Sequence, residues 1–141
     1  DTWEQEEVSY KNTDIAFSPN VISAAQLSFA PLQINRKANA YNGLYLILQN
    51  KYVGSQYLDN SSQANRKLDA YNVMNFKVLY SINIKKQNQL TVGFTINNLT
   101  NKSYISNGYS YAYLEGGQVQ SANGYFPQAR RFYMFNIGLT I

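Results

Sequence analysis

The sequence contains no cysteine and no histidine. Without cysteine there is no disulfide framework, no thiolate nucleophile and no cysteine-based zinc site. Without histidine the commonest general base and metal ligand is missing. Charge is scarce as well: Asp, Glu, Lys and Arg make up 14% of the 141 residues, about half the usual share of a soluble domain. A net charge of +4 with no continuous basic patch gives nucleic-acid binding little support. No apolar run approaches the roughly 18 residues of a membrane helix. A secretory leader is not visible either, because the opening DTWEQEE is acidic where a leader starts basic. If the protein is exported, the chain begins well after its natural start, so a fragment of something longer is expected.

What the sequence has in quantity is alternation. Hydrophobic residues reach 45%, and Tyr (13) and Phe (7) dominate over Trp (1), as suits strands and membrane-interface belts. In the last segment Tyr133, Phe135, Ile137, Leu139 and Ile141 fall on one face, with Phe132, Met134, Asn136, Gly138 and Thr140 on the other. Leu90, Val92, Phe94 and Ile96 repeat the pattern, as do Met74, Phe76, Val78, Tyr80, Ile82 and Ile84. Weaker versions carry Leu44, Leu46, Leu48 and Tyr52, and before them Ala25, Leu27 and Phe29. Period-two alternation marks strands with two unlike faces. A soluble sandwich would place charge on its outer face. Here the polar face is Asn, Gln, Thr, Ser and Gly, with Lys51 and Lys77 the only charges inside strands. A membrane barrel inverts the soluble layout and needs strands of about 9–11 residues. Residues 71–84, 89–99 and 131–141 meet that length.

Connections alternate short and long. Residues 85–88 form a tight polar turn, and 32–42 a shorter link with the basic pair Arg36-Lys37. Residues 54–70 and 101–130 are long, the second rich in Gly, Ser, Asn and Tyr. Outer-membrane barrels have short periplasmic turns on one rim and long extracellular loops on the other. The carboxylates Asp1, Glu4, Glu6, Glu7, Asp14, Asp59, Asp69 and Glu115 all fall in segments expected on the long-loop rim. None is expected in a strand, as the cost of charge at bilayer depth would require. Pro19 and Pro31 bracket the first strand and Pro127 precedes the last, where a missing N–H is tolerable.

With the strands placed, four stretches resemble one family. VGFTINNLTNKSY, from Val92 to Tyr104, is similar to the penultimate strand of TonB-dependent outer-membrane receptors, closed by an NL-x-[ND]-K-x-Y box. YFPQARRFYMFNIGLTI, from Tyr125 to Ile141, resembles the family's final strand with its P-x-x-x-R approach. YVGSQYLDN at 52–60 and FSPN at 17–20 match upstream positions in a style common among Bacteroidota receptors. The resemblance implies an all-β fold: an antiparallel transmembrane β-barrel segment of about five strands, six if residues 1–10 contribute, out of roughly 22 around a plug. The whole of 1–141 would be the C-terminal part of the barrel domain, with the plug outside it. The family usually ends in Phe. Ile141 keeps the lipid-facing phase without the aromatic ring, so either an aliphatic end is tolerated or residues follow it.

The implied activity is uptake of a scarce nutrient, a ferric siderophore above all, in the outer membrane of a Gram-negative bacterium. Implied partners are the rest of the barrel and its plug, outer-membrane lipid, the ligand, and the TonB complex through an N-terminal region outside this chain. Catalysis has little to stand on, and neither a cofactor nor a metal is expected. Glu4, Glu6 and Glu7 read as a solvated acidic loop rather than a cation site. Lys85-Lys86 and Arg36-Lys37 read as solubilising turns. Arg130 or Arg131 is expected to point into the lumen toward a loop carboxylate. The candidate ligand contacts are Tyr104, Tyr109, Tyr111, Tyr113 and Tyr125, because Tyr offers a large face and a hydroxyl at low entropic cost. Two rival readings stay open: another outer-membrane barrel, such as a porin or adhesin, and a soluble β-rich domain that binds carbohydrate or protein.

Overall fold

A computed structural model describes residues 9–33, 43–84 and 88–141. The alternating segments become long strands: β1 (Ile22–Gln33), β2 (Gly43–Val53), β5 (Tyr71–Asn83), β6 (Gln89–Asn97) and β9 (Phe132–Thr140). They form one antiparallel five-stranded sheet in the order β1-β2-β5-β6-β9. Each strand thus pairs with the next long strand in the chain, the simplest meander. The remaining strands lie in the connections. The pair β3 (Gln56–Tyr57) and β4 (Lys67–Leu68), with a single 3-10 turn at Ala64–Arg66 between them, sits between β2 and β5. The hairpin β7 (Ile105–Glu115) and β8 (Gln118–Pro127) sits between β6 and β9.

The register brings every apolar stripe onto one face. Leu27, Leu48, Phe76, Ile96 and Tyr133 form one row across all five strands. Phe29, Leu46, Val78, Phe94 and Phe135 form the next, and Leu44, Tyr80, Val92 and Ile137 continue it. The opposite face is mixed: Gln26, Gln49, Lys51, Asn75, Lys77, Thr91, Thr95 and Asn136 lie there beside Ile47, Val73, Leu79 and Met134. There Gln49 Nε2 donates to Gln26 Oε1 at 2.9 Å, and the Ser81 and Thr91 hydroxyls share a bond of 3.1 Å. Gly93 leaves room for the Asn136 side chain, which lies where a Cβ would stand.

Nothing among the described residues covers the apolar face. Leu27 (69%), Phe135 (66%) and Ile137 (66%) are largely exposed. The buried apolar side chains among the described residues are Val53, Leu58 and Leu68, at the end of β2 and in the connection that follows it. A soluble sheet protein puts its strongest apolar face inside. This chain leaves that face open and packs its connections instead.

Four expectations change. Residues 101–130 are not an irregular loop, because most of them are the β7–β8 hairpin. Glu115, expected outside any strand, is the last residue of β7, at the hairpin tip rather than in the large sheet. Lys51 and Lys77 are the only charges of the large sheet among the described residues, but Lys67 and Glu115 add charge to the small strands. Pro31 does not end β1: one extra residue lies between Phe29 and Leu32, and the strand runs on to Gln33. An edge strand with a bulge tolerates the missing N–H. Asp14, Asp59 and Asp69 lie in connections at the rim where β2 ends and β5 begins. Asp1, Glu4, Glu6, Glu7, Arg36, Lys37, Lys85 and Lys86 lie outside the described residues, as do most of residues 1–10.

Candidate functional site

The long connections meet at one rim, and specific polar groups lock them. Asn98 begins the turn after β6 with φ 51°, a left-handed conformation that Asn tolerates better than most residues. Its buried side chain donates to the carbonyls of Lys102 at 2.8 Å and Ala129 at 3.1 Å, and accepts from the Lys102 amide at 2.9 Å. The Asn98 amide itself donates to Asn75 Oδ1 at 2.9 Å. Asn101, also left-handed, accepts from the Arg131 amide at 3.1 Å. Tyr104 stacks on Tyr71, ring centroids 4.5 Å apart, and its carbonyl accepts from the Gln128 amide. The Asn-Leu-Thr-Asn-Lys-Ser-Tyr segment is therefore a clasp. It joins the exit of β6 to the entry of β9 and sets the hairpin between them.

The upstream segment docks in a similar way. Asp14 N–H donates to Ser62 Oγ at 2.8 Å, Ala16 N–H to Asn60 Oδ1 at 2.7 Å, and Phe17 N–H to the Tyr57 carbonyl at 2.9 Å. Within that connection Asp59 pairs with Arg66 and accepts from both the amide and the hydroxyl of Ser61. Burial pushes its carboxyl up, but the Ser61 bonds and the Arg66 guanidinium outweigh burial and hold it below the ordinary value.

The hairpin turns through Gly116 and Gly117 with φ 59° and 76°, a two-residue turn that needs left-handed backbone at both positions. One of its faces is the docking side. Asn123 Nδ2 donates to the Asn65 carbonyl at 2.8 Å, and Gln56 Nε2 to the Ser106 carbonyl at 3.1 Å. Gly108 lets Leu58 approach: a Cβ there would lie 3.0 Å from Leu58 Cδ2 and 2.5 Å from the Gly124 carbonyl oxygen. The other face carries Tyr109, Tyr111 and Tyr113, whose register partners are Gly124, Ala122 and Gln120.

The five candidate tyrosines consequently do not form one site. Tyr109, Tyr111 and Tyr113 form a row, with ring centroids 6.3 Å and then 6.0 Å apart. Tyr125 lies on the docking face, its hydroxyl 3.4 Å from the Asn65 carbonyl. Tyr104 is part of the clasp. Phe126, which sequence reasoning passed over, joins the row at 5.9 Å from Tyr109. Arg130 and Arg131 are exposed, and neither meets a carboxylate among the described residues.

Below the connections, on the polar face of the sheet, lies a depression of about 730 Å³. Gln26, Gln49, Lys51, Asn75, Asn97 and Tyr104 are among its lining residues. Its polar lining is mostly neutral amide, with Lys51 as the one cation, and Val73, Phe132 and alanines supply the apolar part. No cluster of three or more acidic side chains that could hold a metal occurs among the described residues. Comparison of the chain with protein-family models, curated proteins and solved structures gives no match.

Proposed function

We propose that the chain is the C-terminal barrel segment of a TonB-dependent receptor in a Gram-negative outer membrane. The observation that carries this reading is the uncovered apolar face of the five-stranded sheet. All five strands contribute to it, and its length matches the about 9–11 residues a tilted strand needs to cross hydrocarbon. Lys51 and Lys77 lie on the opposite face, as a polar lumen requires. The bulky connections at one rim and the close link at the other, where Ile84 N–H donates to the Asn88 carbonyl at 2.8 Å, fit an asymmetric barrel.

At that rim the 17–20 stretch bonds to the 52–60 stretch, and the 92–104 stretch is clasped to the approach of the last strand. In this reading β1 and β9 join further strands of the same barrel, which removes the open edges that hydrocarbon forbids. The receptor captures a scarce nutrient, a ferric siderophore in most of the family, and admits it past the plug with energy from TonB.

The test uses the intact parent protein in its own cells. Outer-membrane fractionation, heat-modifiable electrophoretic mobility and loss of ligand uptake on deletion of TonB are expected together. Recovery in the soluble fraction, or uptake independent of TonB, would overturn the reading.

A further inference from the structure

We propose that the rim above β6 and β9 binds the phosphate of an acylated glycolipid of the outer leaflet, a lipid A, through Lys102, Arg130 and Arg131. The proposal rests on the receptor reading for the membrane around the sheet, and names a lipid site that the reading leaves open. Three observations carry it. The first is where the apolar face stops. Leu27, Leu48, Phe76, Ile96 and Tyr133 form the last row toward the long connections in which all five strands give an aliphatic or aromatic side chain. Beyond it on the same face come Asn50 and Asn72, and Asn50 Nδ2 donates to Asn72 Oδ1 at 2.7 Å. Hydrocarbon therefore ends near Tyr133, a residue type suited to that boundary, and headgroups begin at the asparagines. Arg131 stands immediately before β9 with the parity of Tyr133 and Phe135, which puts it at headgroup level on the lipid side.

The second observation is the gathering of cations. Asn98 Nδ2 donates to the carbonyls of Lys102 and Ala129, and Asn101 Oδ1 accepts from the Arg131 amide. These bonds bring Lys102 beside Arg130 and Arg131, although the whole hairpin separates them in the chain. All three are exposed, and none pairs with a carboxylate among the described residues. Asp69 lines a cleft of about 310 Å³ together with Lys67 and Lys102, and Lys67 offsets its charge there. The rim is left with surplus positive charge at the level where lipid phosphates lie. The third observation is the surface beneath the cations. Phe94 and Tyr133 stack with ring centroids 6.0 Å apart and planes 12° apart, and both are exposed. A guanidinium fork matches phosphate oxygens and an ammonium adds a point charge, while the rings offer acyl chains a flat apolar bed. A soluble anion would use the cations alone. A phosphorylated lipid uses both.

The test again uses the intact protein, freed of lipid by detergent exchange and titrated with lipid A by native mass spectrometry. Lipid A is expected to bind, and its dephosphorylated form to bind at least tenfold more weakly. Arg131→Gln and Lys102→Gln should each weaken lipid A about tenfold, and the double variant should no longer distinguish the two lipids. Lys102→Arg should bind as the native protein does. The bonds to Asn98 and Asn101 use only the backbone of Lys102 and Arg131, so the variants keep the clasp, and heat-modifiable mobility verifies their fold. Equal affinity of the native protein for both lipids, or of the glutamine variants for lipid A, overturns the proposal. Displacement of lipid A by inorganic phosphate overturns it too, because the site would then take a free anion. The receptor reading fails separately. Lipid A bound through these side chains by a protein whose uptake is independent of TonB leaves the lipid site standing, and a TonB-dependent receptor indifferent to the lipid phosphate removes only the site.

Discussion

Asn98 concentrates more of the rim's geometry than any neighbour, since its side chain serves two carbonyls and one amide from a left-handed backbone. Asn98→Ala should cost about 2–3 kcal/mol, because it strands buried backbone groups, and chemical or thermal unfolding of the intact protein checks this. Asn98→Asp should be worse than alanine at neutral pH, as a carboxylate would face two carbonyl oxygens. Its penalty should shrink in acid as that carboxyl takes up a proton. The native Asp59 behaves in the opposite sense. Its folded value is depressed, so its stabilisation is present above the ordinary carboxylate range and fades as pH falls through the folded value. Protection factors at the Ser61 and Arg66 amides, taken relative to the intrinsic exchange rate at each pH, should fall on that descent, and Asp59→Asn should flatten the dependence. Such roles were only half legible in the sequence. The Asn98 segment stood out as a motif, but that its asparagine bonds Ala129, far along the chain, depends on where the hairpin returns.

The long strands were legible because their alternation is strong and their boundaries polar. Residues 71–84, 89–99 and 131–141 shorten by only a residue or two at their ends. The hairpin was not legible. Its Ser110, Ala112, Ser121 and Ala122 offer small side chains where an apolar stripe would announce a strand, and its Gly content reads as loop. The Gly116-Gly117 pair between Tyr109-x-Tyr111-x-Tyr113 and Tyr125-Phe126 was the available signal. Two substitutions test this element. Gly117→Val should cost about 1–2 kcal/mol for a β-branched residue forced to positive φ. Gly108→Val should separate the hairpin from Leu58, since its side chain would collide with the Gly124 carbonyl. Both should expose the hairpin to limited proteolysis, while Gly116→Asn should be tolerated because Asn adopts left-handed backbone.

At the scale of the molecule, the sheet has an apolar face without cover and a polar face with its own bonds, the reverse of a soluble domain. Charge placement should read this directly. Val78→Arg, centred in the row of Leu46 and Phe94, should cost about 2–4 kcal/mol in a bilayer and deplete the protein from the outer membrane. Thr95→Glu, whose register partner is the native Lys77, puts a charge on the other face beside an opposite one and should leave assembly intact. Which face meets hydrocarbon is tested most directly along β9, in a chain with no cysteine of its own. Nitroxides attached to single cysteines at each position from Tyr133 to Leu139, in the intact protein within outer membranes, report collisions with oxygen and with a water-soluble nickel chelate. Oxygen access is expected at Tyr133, Phe135, Ile137 and Leu139, alternating with nickel access at Met134, Asn136 and Gly138. Nickel access at Phe135 and Ile137, or no alternation along the strand, would contradict it.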